Sequence, residues 1–510
     1  MLDAIKKIVR SRFFLGAVVL IIEFAILVGV MAVLYESFLP LAIIAWIFYF
    51  VVLIYILNRD EIPENKLPWL VILLVFPVLG AFLFLLLSNN KASKEDYKRF
   101  EKSAKRIRPH LVQTNNIEKL KVLDKDAYAQ ARYLYNCANM PVFDKSKTTY
   151  YPLGEDFHAD LLRELDKAKN FIFMEYFIIQ DGVMWSSIHK VLCKKAKEGV
   201  SVFLMYDDLG CIATVDDDFY KQLQNDGINC VPCNKFKPIL SHIHNNRDHR
   251  KITVIDGKVG FTGGVNLADE YINEYEKFGH WKDTAVKIEG EAVRTLSALF
   301  LSLWNMQNER QLDVDKYLCA TKGGDCGKGY VIPFGDSPSP IDTEDVGKDV
   351  YMNILHCAND YVYICTPYLI CDREILNAIC NASRRGVDVR LITPHIPDKK
   401  AVFLMTRSNY KKLIESGVEV YEYTPGFIHA KSFVSDDKFA VCGTINLDYR
   451  SLVHHFECGA WMYNTECIDD MKNDFLQTVR KSQIITKKDA TLSFFGRLFA
   501  ETMKIFSPLL

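Results

Sequence analysis

Three apolar runs open the chain, over 13–35, 38–57 and 67–88. Each approaches the ~20 residues a helix needs to cross a bilayer, which predicts an N-terminal α-helical membrane region over 1–88. One short apolar core with a small-residue cleavage site, the pattern of a signal peptide, is not what these runs show. Glu23 interrupts the first run, where a charge is costly, so that run is the weakest span. Further along, short apolar strands alternate with helical stretches, and they do so twice. The first half reads FIFMEYFI, KAKEGVSVFLMYDD, FYKQLQNDGINCV and HRKITVIDGKVGFTGGVNL. The second reads YVYICTPYLI, ASRRGVDVRLITPH, NYKKLIESGVEVY and HAKSFVSDDKFAVCGTINL. Gly199 matches Gly386 and Gly227 matches Gly417, each as the αL stop after a helix. Strands alternating with helices predict an α/β fold. Repeats of domain size predict two pseudo-symmetric lobes, mixed sheets flanked by helices, rather than a short-period solenoid.

The matched positions give offsets of 187, 190 and 180 residues, so about ten residues are extra in the first half, near KFKPILSHIHNN. The expected division is a membrane region 1–88, a basic lead-in 89–144, a first lobe 145–310, a linker 311–345, a second lobe 346–487 and a C-terminal segment 488–510. Gly and Pro clusters make the stretch 305–346 loop-like. In the last segment Phe495, Leu498, Phe499 and Phe506 share one helical face, with Arg497, Glu501 and Lys504 opposite. Such a helix lies on a bilayer or caps the globular core.

Charge adds orientation. Lys6, Lys7, Arg10 and Arg12 precede the first run, and a larger basic cluster from Lys91 to Arg108 follows the third. The positive-inside tendency favours both flanks in the cytoplasm, which three full spans do not allow. Either the N-terminus is outside or one run is re-entrant or interfacial. The larger cluster decides, placing everything after Ser88 in the cytoplasm, where it can also meet anionic headgroups. A net charge of −1 supplies no global basic field for nucleic acid. The 14 cysteines have no framework spacing and suit a reducing compartment; Cys230 and Cys233 form a lone C-x-x-C without two further zinc ligands.

The chemistry is concentrated in one pattern, His-x-Lys-x-x-x-x-Asp, which occurs as His249, Lys251, Asp256 and again as His429, Lys431, Asp436. One copy is expected by chance in roughly a tenth of such chains. Two repeat-matched copies 180 residues apart point to one site built from two halves. Residues two apart on a strand face the same way, so each His shares a face with its Lys, and each Asp falls at a hairpin turn as a tether. With the halves facing across a pseudo-twofold axis, one His can attack phosphorus. The other can protonate the leaving alkoxide and then deprotonate the acceptor. The two lysines neutralise phosphate oxygens. This scheme requires no metal or other cofactor, and no His/Asp/Glu cluster has convincing metal-ligand spacing. His242, His244, His280, His454 and His455 are read as structural or surface groups without repeat partners.

These residues resemble the phospholipase D superfamily, whose signature is the paired HxKxxxxD motif, over most of 145–487. Gly263 with Asn266, and Gly443 with Asn446, fit the G-x-x-N that follows each family motif. The resemblance implies a two-lobed α/β fold, a phosphohistidine intermediate, and transfer of a phosphoryl or phosphatidyl group to water or an alcohol. NNRDHRKITVIDG, HWKDTAVKIEGEAV, LFLSLWN and HAKSFVSDDKFAVCGTINLDYRSLVHHFECGAWMYN are similar to bacterial cardiolipin synthases, as are the apolar start and the terminal FSPLL. Members join two phosphatidylglycerols into cardiolipin and release glycerol, which implies a multi-pass protein of the bacterial cell membrane. Lys282 departs from the family's usual Arg. The resemblance also marks Asp283 and Glu457 as acids that hydrogen-bond a catalytic His, while Thr262 and Thr444 are candidate hydroxyl donors. Hydrolysis as a phospholipase D and transfer to another acceptor share this intermediate and remain open. A nuclease is disfavoured by the near-neutral charge and apolar start, and a non-catalytic scaffold by the two intact motifs.

Overall fold

In a computed structural model the described residues are 39–60, 63–88, 94–235, 246–318, 327–339 and 341–509, with Ala25 and Gly29 before them. The first apolar run, its flanking charges, most of the extra segment with His242 and His244, and parts of the basic cluster lie outside that set. The second run forms the helix Leu39–Asn58. Among the described residues no helix is long and apolar enough to cross a membrane. The third run, predicted as one span, is two helices, Pro63–Val75 and Pro77–Leu87. Pro77 lacks an N–H and biases Phe76 away from the helical region, so the chain breaks there; Phe76 has φ −130° and ψ 76°. The three helices pack on each other through Val52, Ile56, Trp69, Leu73 and Phe84. Ile43, Ile47, Phe50, Ile54 and Leu74 face outward.

Two sheets carry the rest. The first has seven strands in the order Lys147–Tyr151, Ala285–Glu289, Val259–Gly263, Ile252–Ile255, Phe171–Tyr176, Ser201–Asp207, Asn229–Cys233. The second repeats this order with Tyr330–Asp336, Glu457–Tyr463, Phe439–Gly443, Ser432–Ser435, Tyr361–Cys365, Asp388–Pro394, Glu419–Tyr423. It gains Phe143–Asp144 on one edge and Ser482–Ile484 on the other. In both, the strands joined by helices run parallel and the motif hairpin antiparallel. The fold is thus the mixed α/β pair of pseudo-symmetric lobes that the repeat predicts.

The loop-like stretch 305–346 nevertheless contributes the strand Tyr330–Asp336, the second lobe's counterpart of Lys147–Tyr151. Pro333 is tolerated because Phe143–Asp144 pairs only with Tyr330 and Val331, leaving no partner opposite the missing N–H. The helix Val293–Gln307 is buried on nearly every side, as an all-round apolar helix must be. It packs on Ile252–Ile255 of the first sheet and Tyr330–Asp336 of the second, fixing the lobes to each other.

Candidate active site

Each motif enters its sheet only after its lysine. Ile252–Ile255 and Ser432–Ser435 are the strands, and His249, Lys251, His429 and Lys431 lie in their extended lead-ins. The lead-ins are recruited by the opposite lobe. Gly426–Ile428 pairs in parallel with His280–Lys282, and Asp248 bridges to Phe456. The His429 N–H donates to the Lys282 carbonyl at 2.7 Å, and the His249 N–H to the Phe456 carbonyl at 2.9 Å. This exchange carries each histidine to the other lobe's acid. His249 Nδ1 lies 2.8 and 3.0 Å from the two oxygens of Glu457, and His429 Nδ1 lies 2.6 Å from Asp283 Oδ2. Lys251 Nζ donates to the His249 carbonyl at 2.6 Å, and Lys431 Nζ to the His429 carbonyl. All six side chains are buried.

The motif aspartates lie at the far ends of the strands, in αL turns with φ of 52° and 54°. Asp256 accepts the N–H groups of Lys169, Asn170 and Phe171 at 2.9, 2.7 and 2.9 Å. Asp436 accepts those of Asn359, Asp360 and Tyr361 at 2.8, 3.0 and 2.8 Å. Each carboxylate therefore ties its hairpin to the start of the neighbouring strand. Asn266 is also committed, its Oδ1 accepting the Ile178 N–H and its Nδ2 donating to the Tyr271 hydroxyl. Asn446 is buried with a carbonyl oxygen that has no partner among the described residues. Thr262 touches Cys458 Sγ at 3.3 Å across the lobes, whereas Thr444 donates to Glu457. Lys282, in the family's Arg position, reaches Asp474 Oδ1 at 2.8 Å and the Pro152 carbonyl at 2.9 Å. Tyr150 joins the same carboxylate, so this buried cluster clamps the lobes beside the site.

The two halves differ electrostatically. Burial lowers His249 to about 3, against the pull of Glu457. Burial and the Lys431 and Lys251 charges hold His429 well below its ordinary value. Burial lowers Lys251 to about 8 and Lys431 to about 7. Burial would raise Glu457, but the facing His249 ring outweighs it and holds the carboxyl below its ordinary range. Asp283 goes the other way: burial raises it to about 7 despite the nearby Lys431. A packing difference accompanies this. Gly264 abuts Asp283 so closely that a Cβ there would sit 2.1 Å from Oδ1. The equivalent Thr444 instead adds a hydroxyl to Glu457. The site thus holds two neutral imidazoles, one facing an ionised carboxylate and one facing a carboxyl that is part-protonated near pH 7.

Sequence reasoning passed over His455. It is buried, its ring lies 5.5 Å from that of His249, and its Nδ1 is 3.6 Å from Glu457 Oε1. Counting back from the acids supplies the missed signal, because His280-Trp281-Lys282-Asp283 and His454-His455-Phe456-Glu457 are equivalent. His280 and His454 are repeat partners after all, and both are structural. His280 Nδ1 meets the Tyr423 hydroxyl at 3.0 Å, and His454 Nε2 donates to the Pro508 carbonyl at 3.0 Å. Among the described residues two groups bring three potential metal-ligand atoms within reach of one another, His189 with Cys193 and Asp226, and His249 with His455 and Glu457. Neither has a spacing that sequence alone reveals, since Asp226 joins from a separate helix and His249 from the other lobe.

A family model described as "Cardiolipin synthase, PLD-like domain" matches residues 161–304 and 351–479, and one described as "Phospholipase_D-nuclease N-terminal" matches 42–89. The chain is 42% identical over 459 residues to an uncharacterized protein of Streptococcus mutans, covering 90% of this chain and 99% of that one. It is 34% identical over 470 residues to the cardiolipin synthase of Alkalihalophilus pseudofirmus, covering 90% and 91%. It is 33% identical over 474 residues to that of Halalkalibacterium halodurans, again covering 90% and 91%. Among solved structures, the phosphatidylserine synthase of Haemophilus influenzae shares the fold, with a TM-score of 0.57 at 16% identity over 74% of this chain and 97% of that one. The chain belongs to the PLD-like cardiolipin synthase family, phosphatidyltransferases of the phospholipase D type.

Proposed function

We propose that this protein transfers a phosphatidyl group from one phosphatidylglycerol to a second, forming cardiolipin and releasing glycerol. The observation that carries the chemistry is the crossed pair of acid–histidine contacts, Glu457 on His249 and Asp283 on His429. Ionised Glu457 accepts the Nδ1 proton of His249, so the Nε2 lone pair is free to attack phosphorus. Protonated Asp283 donates to Nδ1 of His429, so Nε2 carries the proton. As His249 Nε2 bonds to phosphorus, the bond to glycerol oxygen breaks and His429 Nε2 gives that oxygen its proton. The Asp283 proton passes to Nδ1 and keeps the ring neutral.

The second half reverses these moves. The incoming hydroxyl of the acceptor lipid loses its proton to His429 Nε2, Asp283 recovers its own from Nδ1, and the oxygen displaces His249 from phosphorus. Lys251 and Lys431 sit beside the reacting phosphate and take up its developing charge. The apolar side chains facing outward on Leu39–Asn58 support a bilayer-seated N-terminus, and the basic residues that follow the third apolar run favour lobes on its cytoplasmic side. Purified protein given phosphatidylglycerol alone tests the reading: cardiolipin and glycerol in equal amounts are expected. Phosphatidic acid as the main product would make it a hydrolase.

A further inference from the structure

Among the described residues, His455 is the one buried imidazole beside the reacting groups that the mechanism above does not use. Neither of its ring nitrogens has a hydrogen-bond partner among the described residues, although the residue is only 9% exposed. Glu457 Oε1, at 3.6 Å, is too far to serve. A buried polar group left unpaired is costly, so a native site that keeps one has a partner in another state. The pseudo-symmetric position in the other half holds Trp281, whose ring is likewise 5.5 Å from its histidine, His429, and whose indole N–H is likewise without a partner among the described residues. Indole offers one donor and no acceptor, whereas imidazole offers both. The two half-sites therefore present different hydrogen-bonding edges, and the imidazole lies on the His249 side.

Resting on the reading above, we infer that His455 is a substrate-binding residue: its ring N–H holds a phosphate oxygen of the lipid whose phosphorus His249 attacks. It would hold the donor phosphate against His249. The ligand chemistry is a phosphate oxyanion, which both a lipid headgroup and free inorganic phosphate supply.

The test uses the full-length protein in detergent, with His455→Phe, His455→Gln and, as a control on the underlying reading, His249→Ala. Turnover is measured on phosphatidylglycerol micelles and binding is measured calorimetrically with inorganic phosphate. A hydrogen bond to a charged group predicts a loss of about 10- to 100-fold in kcat/KM for His455→Phe. Phosphate binding should weaken in parallel, and His455→Gln, which keeps an N–H, should recover most of both. Should His455→Phe lose its cooperative melt, His455→Gln takes over the test. It should then retain phosphate affinity within a few-fold, and a collapse of that affinity overturns the inference. If His455→Phe stays within twofold of wild type while His249→Ala is dead, His455 has no such role and the two-histidine reading stands. Lost turnover with unchanged phosphate affinity likewise overturns the assignment. Turnover by His249→Ala would instead overturn the reading beneath it.

Discussion

Replacing Glu457 with Gln is expected to silence His249 while leaving the fold in place. The Glu457 carboxylate is shared by His249 Nδ1, at 2.8 and 3.0 Å, and the Thr444 hydroxyl. Glutamine has nearly the same volume, so packing survives. Its amide can turn its oxygen to Nδ1, which keeps the bond but discards the charge. A hydrogen bond to a charged group is worth ~1.5–3 kcal/mol against ~0.5–1.5 for a neutral one, so this change alone lowers the rate about tenfold. If the amide turns its NH2 to Nδ1 instead, the ring proton moves to Nε2 and the nucleophile is lost. A wrong tautomer of this kind lowers kcat by about 10⁴-fold. The expected loss in kcat is therefore between about tenfold and about 10⁴-fold, according to which way the amide turns. Asparagine at Asp283 keeps an NH2 donor to His429 Nδ1 but cannot pass that nitrogen a proton, so the ring would be left anionic as it protonates the leaving alkoxide and glycerol release should fall sharply there too. Single-turnover release of glycerol from headgroup-labelled phosphatidylglycerol reads both variants, with thermal melting as the control on folding. Glu457→Gln or Asp283→Asn releasing glycerol at the wild-type rate would refute the roles assigned to the two acids.

Asp256→Ala should act on stability more than chemistry: losing one acceptor of three backbone N–H groups is expected to cost ~2–4 kcal/mol, seen as a lower midpoint in denaturant melts. Lys282→Met strands Asp474 without its buried cation, so a loss of ~3–5 kcal/mol is expected by the same assay. The kcat/KM profile should fall as pH rises above about 7, because Lys431 and Asp283, both near 7, lose the protons the mechanism uses. Lys431→Arg should remove the lysine part of that decline. The same lysine fixes a sign for stability: folded Lys431 gives up its proton near 7 while the unfolded side chain keeps it to 10.5. The unfolded state then binds more protons, so this group's contribution to stability rises with pH across that window.

Much of this was legible in the chain. The repeat predicted the two lobes because matched glycines and apolar strands impose the same local structure wherever they occur. The motif spacing selected His249, Lys251, His429 and Lys431 without any coordinates. The crossing of acids and histidines was not legible, since local pattern does not say that the segments before each motif pair with the opposite lobe. The strand Tyr330–Asp336 was hidden among Gly and Pro, whose turn-forming tendency is overridden by pairing with Glu457–Tyr463. The third apolar run read as one helix until Pro77 divided it. His455 stayed hidden because its partner in the repeat is Trp281, and a His–Trp match carries no chemical likeness. The outward side chains of Leu39–Asn58 contribute apolar surface rather than specific contacts, so their pattern gives composition without arrangement.

The central claim is that His249 is the nucleophile and His429 the acid and base. Acid-stable quenching of phosphohistidine is unsuitable, since the P–N bond is acid-labile, so the adduct is trapped under alkaline denaturing conditions and mapped by mass spectrometry. Wild-type protein mixed briefly with phosphatidylglycerol should carry a phosphatidyl group on His249, whereas His429→Ala, which lacks both the acid for glycerol release and the base for the acceptor, should form that adduct more slowly and, once formed, hold it longer. An adduct on His429 in the wild-type protein, or undiminished adduct formation in His249→Ala, would contradict the account.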